Sequence, residues 1–193
     1  MRPDPAILVF DTSAAHCAAA LLCGDEIADL RIEDMARGQG ERLMGLLEEV
    51  LAGAGLSWSD LSALAVGTGP GNFTGIRISV SAARGLALGL GIPAIGVTTL
   101  EALAHGRPRP VSVALPAPRD QSYRQEFDAT GAGAARLDAA SAPLPDWTAT
   151  LAAMARIAAG RLAEGVGQAR PVPCYVRPPD AAPARDTGPN ILT

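Results

Sequence analysis

Three apolar runs open the chain with almost nothing between them: AILVFD at residues 6 to 11, AHCAAALLC at 15 to 23 and EIADLRIED at 26 to 34. Each reads as a strand, although Ile27, Leu30 and Ile32 alternate only roughly in the third. A tight Thr12-Ser13-Ala14 turn joins the first two and Gly24-Asp25 joins the next pair. A parallel pair needs a crossover of about a dozen residues, so links this short predict antiparallel strands. From Gln39 to Ala54 the period becomes helical, with Leu43, Leu46, Leu47, Val50 and Leu51 on one face and Gly53 and Gly55 at the end. Residues 61 to 67 (LSALAVG) then predict a strand, 76 to 90 a second helix and 93 to 97 (PAIGV) another strand. Thr98 or Thr99 caps a third helix through Leu103. This order is that of an α/β domain.

After Gly106 the texture changes. RPRP, PAP, GAGA and SAPLP crowd the chain to residue 145 around only two strand-like runs, PVSVAL and SYRQEF. An Ala-rich helix over 148 to 164 and an extended Pro-rich tail from 171 follow. The expected division is an N-terminal domain at 1–106 and a reduced C-terminal domain with a Pro-rich tail at 107–193.

Nearly half of the 193 residues, 48%, are hydrophobic, enough to bury a sizeable core. No apolar run reaches the ~18 residues of a membrane span, since Arg84 interrupts the richest stretch and Pro93 follows it. MRPDPAILVFD lacks the layout of a signal peptide, so a cytoplasmic protein away from membranes is expected. Cys17, Cys23 and Cys174 show no C-x-x-C spacing, which opposes a disulfide framework and a zinc site and predicts reduced thiols. The net charge of -4 opposes a self-sufficient nucleic-acid binder, so contact with RNA would need a partner's charge. All sixteen basic residues are Arg; Lys is absent.

That absence bears on the Gly-rich segment. Gly67, Gly69, Gly71 and Gly75 surround a strand-to-helix junction, where free N–H groups and the helix dipole favour an anion. A P-loop needs G-x-x-x-x-G-K-[ST], and without Lys that reading fails; no G-x-G-x-x-G fingerprint is present either. The plainer reading is a turn in which glycines permit positive φ and Thr74 caps the helix. His16 and His105 form no close ligand pair, so no metal is expected. Asp11, Ser13 and His16 lie on one strand-turn-strand, too rigid a frame for a catalytic triad, and no G-x-S-x-G elbow exists. His16 and Cys17 read as strand packing, and Glu48 and Glu49 as solvated charges pointing apart.

On the second helix Ser81, Gly85 and Gly89 lie four apart, Arg77 and Arg84 share another face, and Ile76, Val80, Ala83, Ala87 and Leu90 form an apolar stripe. A helix apolar on most sides is buried, either by its own chain or in part by another subunit.

Three segments together resemble the TsaB (YeaZ-type) family: ILVFDTSAAHCAAAL at 7 to 21, AVGTGPGNFTGIRISVSAARGLA at 65 to 87 and PCYVRPPDA at 173 to 181, the middle one being the most specific. The run from Glu41 to Glu48 and IPAIGVTTLEALA extend the likeness over residues 7 to 104, while the C-terminal half is covered thinly. The resemblance implies an α/β, actin-like (ribonuclease-H-like, ASKHA) fold with a full N-terminal and a shortened C-terminal domain. It implies a non-catalytic scaffold and activating subunit of the complex that makes threonylcarbamoyladenosine at position 37 of tRNA. The transferase TsaD would pair with it through the helices at 39–54 and 76–90, the ATPase TsaE would join, and tRNA would be met only through the complex. The interface is expected at Leu43, Met44, Leu47, Ile76, Val80, Ala83, Arg84 and Ala87. Without TsaD the same face is expected to form a homodimer, which Ala83→Glu or Gly85→Glu would split. In this superfamily a turn such as Asp11-Thr12-Ser13 faces nucleotide phosphates, so these residues with Gly69, Gly71 and Thr74 are the phosphate-binding candidates. No catalytic residue, metal or cofactor is expected on the chain alone, with ATP or ADP admitted at the interface of the complex. The competing readings are an actin-like ATP-binding protein or ATPase, and a glycoprotease, for which no metal ligands exist. Where the family usually carries D-A-R-x-x-x-x-Y, this chain has Pro116, Ala117, Pro118, Arg119 and Tyr123, which removes the acidic side chain and makes an edge strand there doubtful.

Overall fold

The computed structural model describes residues 4–165 and 169–176. β1 (Ala6–Asp11), β2 (His16–Cys23) and β3 (Glu26–Asp34) form the expected antiparallel meander. α1 (Gln39–Gly53) leads by a short 3-10 turn to β4 (Ala63–Gly67), which pairs parallel with β1, and α2 (Phe73–Leu90) leads to β5 (Ala94–Val97), parallel with β4. The sheet order is β3-β2-β1-β4-β5.

Why β1, β2 and β4 are apolar on both faces follows from what covers them. Leu8, Phe10, Cys17, Ala19, Leu21, Leu64 and Val66 face α1 and α2 and meet Leu43, Leu46, Leu47, Val50, Ile76 and Val80. The alternate residues, among them Val9, Ala18, Ala20, Ala63 and Ala65, face α4 (Trp147–Ala163) and its Ala153, Met154, Ala155 and Ala158. A strand buried on both sides loses its polar alternation. The many alanines are two small-residue surfaces, one on the sheet and one on α4, that let helix and sheet backbones approach. The edge strand β3 carries the charges, and Arg42 of α1 reaches back to Glu33 and Glu49 while Arg31 bonds Asp29 and Glu49. Hydrogen bonding to Arg42 holds both glutamates below the usual carboxylate range.

α3 (Thr99–Ala104), capped by Thr98, bridges to a smaller sheet of β6 (Val111–Ala117), β7 (Gln121–Asp128), β8 (Gly131–Ala132) and β9 (Arg136–Asp138), in which β7 is the common partner. Its core holds Leu100, Val113, Leu115, Tyr123 and Phe127. Several expectations are corrected. β8 and β9 were not expected, being two and three residues long with no apolar alternation. β6 runs straight through Pro116, which lies opposite Ser122. An edge strand bonds on one side only and tolerates a missing donor. α2 starts at Phe73 rather than residue 76, and its cap is Asn72, whose side chain accepts from Gly75 N, rather than Thr74. The boundary at residue 106 separates the two sheets, and α4 returns from the second half to cover the first sheet. The Pro-rich tail beyond Val176 lies outside the described residues.

Two outcomes follow. Leu47 is wholly enclosed between α1 and the sheet, so Leu47→Ala should lower the unfolding free energy by ~2–5 kcal/mol in urea denaturation. Burial first, with Glu33 nearby, pushes the Cys17 thiol up to about 11. The unfolded thiol ionises at lower pH, so its contribution to stability is complete at neutral pH and is lost as pH rises toward that value. Thiol labelling at pH 8 should therefore reach Cys17 only after denaturant is added, and fast labelling of Cys17 in the native protein would contradict this.

Candidate functional site

The turn after β1 meets the start of α2 backbone to backbone. Thr12 Oγ1 donates to the Gly75 carbonyl at 2.6 Å, and Asn72 N donates to the Ser13 carbonyl at 2.7 Å. A Cβ on Gly71 would overlap the Ser13 carbonyl and one on Gly75 the Thr12 carbonyl, so these glycines are required by close approach. Gly69 stands at φ 93°, and its carbonyl accepts from Thr99 N at 2.9 Å, tying the loop to α3. Thr74 is exposed on the first turn of α2.

Asp11, Thr12, Ser13 and His16 are all buried. Asp11, Ser13 and His16 gather around one carboxylate oxygen. Asp11 Oδ1 accepts from Ser13 N at 2.8 Å, Ser13 Oγ at 2.9 Å and His16 Nε2 at 2.8 Å. The three donors share one oxygen, so Ser13 is hydrogen-bonded to the carboxylate and not to the imidazole. A nucleophile activated by a base needs that missing link. The other carboxylate oxygen, Oδ2, is buried without a partner against Gly67. His16 packs edge-on to Trp147, with ring centroids 4.3 Å apart, which joins this cluster to the start of α4. The signal that would have revealed this was the spacing itself, since residues 11, 13 and 16 straddle a tight turn.

Above the turn lies a cleft of about 330 Å3 between the two sheets, where Ser13 and Gly71 face Leu115, Pro116, Tyr123 and Trp147. No charged side chain lines it among the described residues. Pro116, standing where the family pattern has Asp, is part of this wall. Among the described residues no three His, Cys, Asp or Glu are grouped to hold a metal, and no helix is long and apolar enough to cross a membrane.

The eight residues expected at a partner interface divide. Leu43, Leu47, Ile76, Val80 and Ala83 are enclosed by the chain's own sheet, because the periodicity that marks a helix face does not say which surface covers it. Ala87 is half-buried, and Met44 (40% exposed) and Arg84 are open. The outward surface of α2 adds one residue not singled out from sequence, Leu88, which is 82% exposed, and nothing lies within 4 Å of a Cβ built on Gly85 or Gly89, the glycines noted there as four apart. A groove of about 420 Å3 runs there past Leu88, Ile92, Pro93 and Arg170.

The central sheet order with helices on both faces defines an actin-like, ribonuclease-H-like α/β protein. The solved structure of YeaZ from Pseudomonas aeruginosa matches with a TM-score of 0.70 at 23% identity, covering 89% of this chain and 99% of that one. A family model described as "TsaD: tRNA N6-adenosine threonylcarbamoyltransferase" matches residues 33–167, well over half of the chain. Similar proteins include the tRNA threonylcarbamoyladenosine biosynthesis protein TsaB of Escherichia coli, 37% identical over 100 residues, 52% of this chain and 43% of that protein. The protein of the same name from Buchnera aphidicola is 35% identical over 126 residues, 63% of this chain and 60% of that one. The match spans about half the length of these relatives. The chain belongs to the TsaB (YeaZ-type) family, within the wider group the TsaD model describes.

The same substitution at two glycines of α2 should act with opposite signs. Gly75→Ala drives a methyl into the Thr12 carbonyl and should destabilise the fold, whereas Gly85→Ala, in an open helix interior, should add ~0.5–1 kcal/mol. Thermal unfolding of the two variants checks both.

Proposed function

We propose that this chain is a non-catalytic subunit of tRNA threonylcarbamoyladenosine synthesis that scaffolds and activates the transferase TsaD, works in the cytoplasm with TsaE, and meets tRNA within that assembly. The names of its relatives support the pathway. The single observation that supports a non-catalytic role is that Asp11, Thr12 and Ser13, the residues an actin-like fold would turn toward a ligand, are buried and bonded to one another and to Gly75. The cleft above them offers no charge to neutralise a triphosphate or hold its metal. This disfavours the ATPase reading for the chain alone and leaves ATP or ADP, if used, to be held mainly by groups of the partner. A glycoprotease reading finds no support in the ligand chemistry of the described residues.

For the partner surface we place the contact on the outward side of α1 and α2, at Met44, Arg84 and Ala87 from the expected set together with Gly85 and Leu88. Burying Leu88 is worth ~1.5–3 kcal/mol, and the open Gly85 and Gly89 let a second helix come close. In the absence of TsaD the same side would pair with a second copy. Ala83 is enclosed and unsuited as a probe, since a charge there would disrupt the core. Gly85→Glu with Leu88→Glu should leave the fold intact, judged by circular dichroism, and weaken co-elution with TsaD in size-exclusion chromatography by tenfold or more in Kd, roughly the value of one buried Leu. Undiminished binding by the folded variant would remove this surface from the proposal.

A further inference from the structure

The RPRP segment is not used by anything described above. It follows α3 and runs beside β7, β8 and α4, on the rim of a concavity of about 520 Å3. Arg107, Arg109 and Arg161 line this groove against a single acid, Glu101, with His105 beside them. In a chain of net charge -4 with only sixteen basic residues, that is a concentration of positive charge, and a concave site focuses its field.

The arginines are not equivalent. Arg161 is committed, since it donates Nη1 to the Gly96 carbonyl at 2.7 Å and pairs through Nη2 with Glu101. It therefore braces α4 against β5 and α3 and neutralises the groove's one carboxylate. Arg109 donates Nη1 to the Asp128 carbonyl at 3.0 Å and lies over the Phe127 ring at 5.8 Å, which fixes the guanidinium near the Asp128 carboxylate, itself held mainly by Thr130, while its other N–H groups make no hydrogen bond among the described residues. Arg107 is exposed and has no side-chain partner among the described residues. Pro108 and Pro110 restrict the backbone on which the two open arginines stand. Two outward donors on a stiffened segment, above a groove whose acid is already paired, suit an anion that accepts several N–H bonds.

We propose that this groove is a contact for RNA phosphodiesters, so that the chain itself touches tRNA when the assembly binds it. The occupant follows from two features. His105, Arg107 and Arg109 lie exposed on the rim, where phosphates still attached to a polymer can reach them. Phe127 is buried beneath Arg109, so it offers no face on which a base can stack. The site therefore reads backbone and not sequence, as phosphate contacts do. The inference departs from the expectation that contact with RNA needs a partner's charge; it rests on the tRNA-modification reading for the identity of the RNA, although not for the chemistry of the groove.

The test is the binding of a fluorescently labelled, unmodified tRNA transcript to the full chain, alone and after mixing with TsaD, across a salt series. Arg107→Glu and Arg109→Glu should each weaken binding and reduce the salt slope by about 1, equally for tRNAs of different sequence. Arg37→Glu, an equal change of charge at an exposed position before α1, should leave the slope unaltered. Equal losses from all three variants would mean only net charge matters and would overturn the site. Unchanged binding by the Arg107 and Arg109 variants, or no salt-dependent binding by the wild type in either setting, would overturn it too. Displacement of the tRNA by inorganic phosphate, beyond that by chloride of equal ionic strength, would assign the groove to a free anion instead. Failure of TsaD pairing would show in the elution profile without altering the measurement on the chain alone, so the two readings fail separately.

Discussion

The organisation of this protein depends on how closely two stretches of backbone pass each other. The turn after β1 and the first turn of α2 are in van der Waals contact through carbonyls, with Thr12 bonded to Gly75 and Asn72 to Ser13. Neither strand nor helix can shift along the other without breaking a bond or creating an overlap, so the contact sets where α2 begins and which side of it turns inward. With Asn72 as cap, Ile76, Ser79, Val80 and Ala83 fall against the sheet and Arg84, Gly85 and Leu88 fall outside. The polar cluster at Asp11 carries the same constraint across the sheet, because its carboxylate holds Ser13 and His16, and His16 rests on Trp147 at the start of α4. Helices on opposite faces of one sheet are thus registered by one turn.

This explains why a Gly-rich junction that looks like a ligand loop is occupied by the protein itself. Glycine at a strand-to-helix junction admits a close visitor, and in a nucleotide-binding loop the visitor is a phosphate. Here it is the chain's own Thr12 and Ser13 carbonyls, which are electron-rich and lie against Gly75 and Gly71. The two uses of glycine leave the same trace in sequence and differ only in what the facing element presents. Pro116 and the uncharged cleft wall around it act in the same direction, since the wall opposite Ser13 offers no carboxylate with which to hold a metal bound to phosphate.

Most of the first sheet could be read from sequence because its signals are local. The short turns dictated antiparallel pairing, the leucines of α1 dictated a face, and Thr98 marked a cap that the structure retains. What could not be read depended on contacts between distant parts of the chain. The helical stripe of Leu43, Leu47, Ile76, Val80 and Ala83 demanded burial, yet only the three-dimensional arrangement shows that the chain's own sheet supplies it. A two-residue strand such as β8 has too few side chains to display a period, and it forms because β7 offers an unsatisfied edge. Pro116 argued against a strand, and the argument failed because β6 has a partner on one side only. That Asp11, Ser13 and His16 share one carboxylate oxygen was not read from the sequence, because the ladder pairs Asp11 with Ala18 and the three meet only through side chains leaving the tight turn.

The distribution of charge separates the two halves of the molecule. On the first sheet, Arg31 and Arg42 are spent on Asp29, Glu33 and Glu49, so that edge has no positive charge to spare and its charged strand is protected from pairing with another chain. On the second, Arg124 and Arg136 are likewise matched by Asp138 and Glu126. Arg107 departs from this economy, for the chain sets it exposed on a Pro-restricted segment with no ion pair among the described residues, and Arg109 beside it bonds a backbone carbonyl of Asp128 and forms no salt bridge with that residue's carboxylate. In a concave groove whose Glu101 is already paired, these two arginines keep attraction for a negative ligand. The sealed cluster at Asp11 and the open groove at Arg107 therefore do different work: the first fixes the helices on the sheet through bonds that close on themselves, and the second leaves donors facing outward for a phosphate.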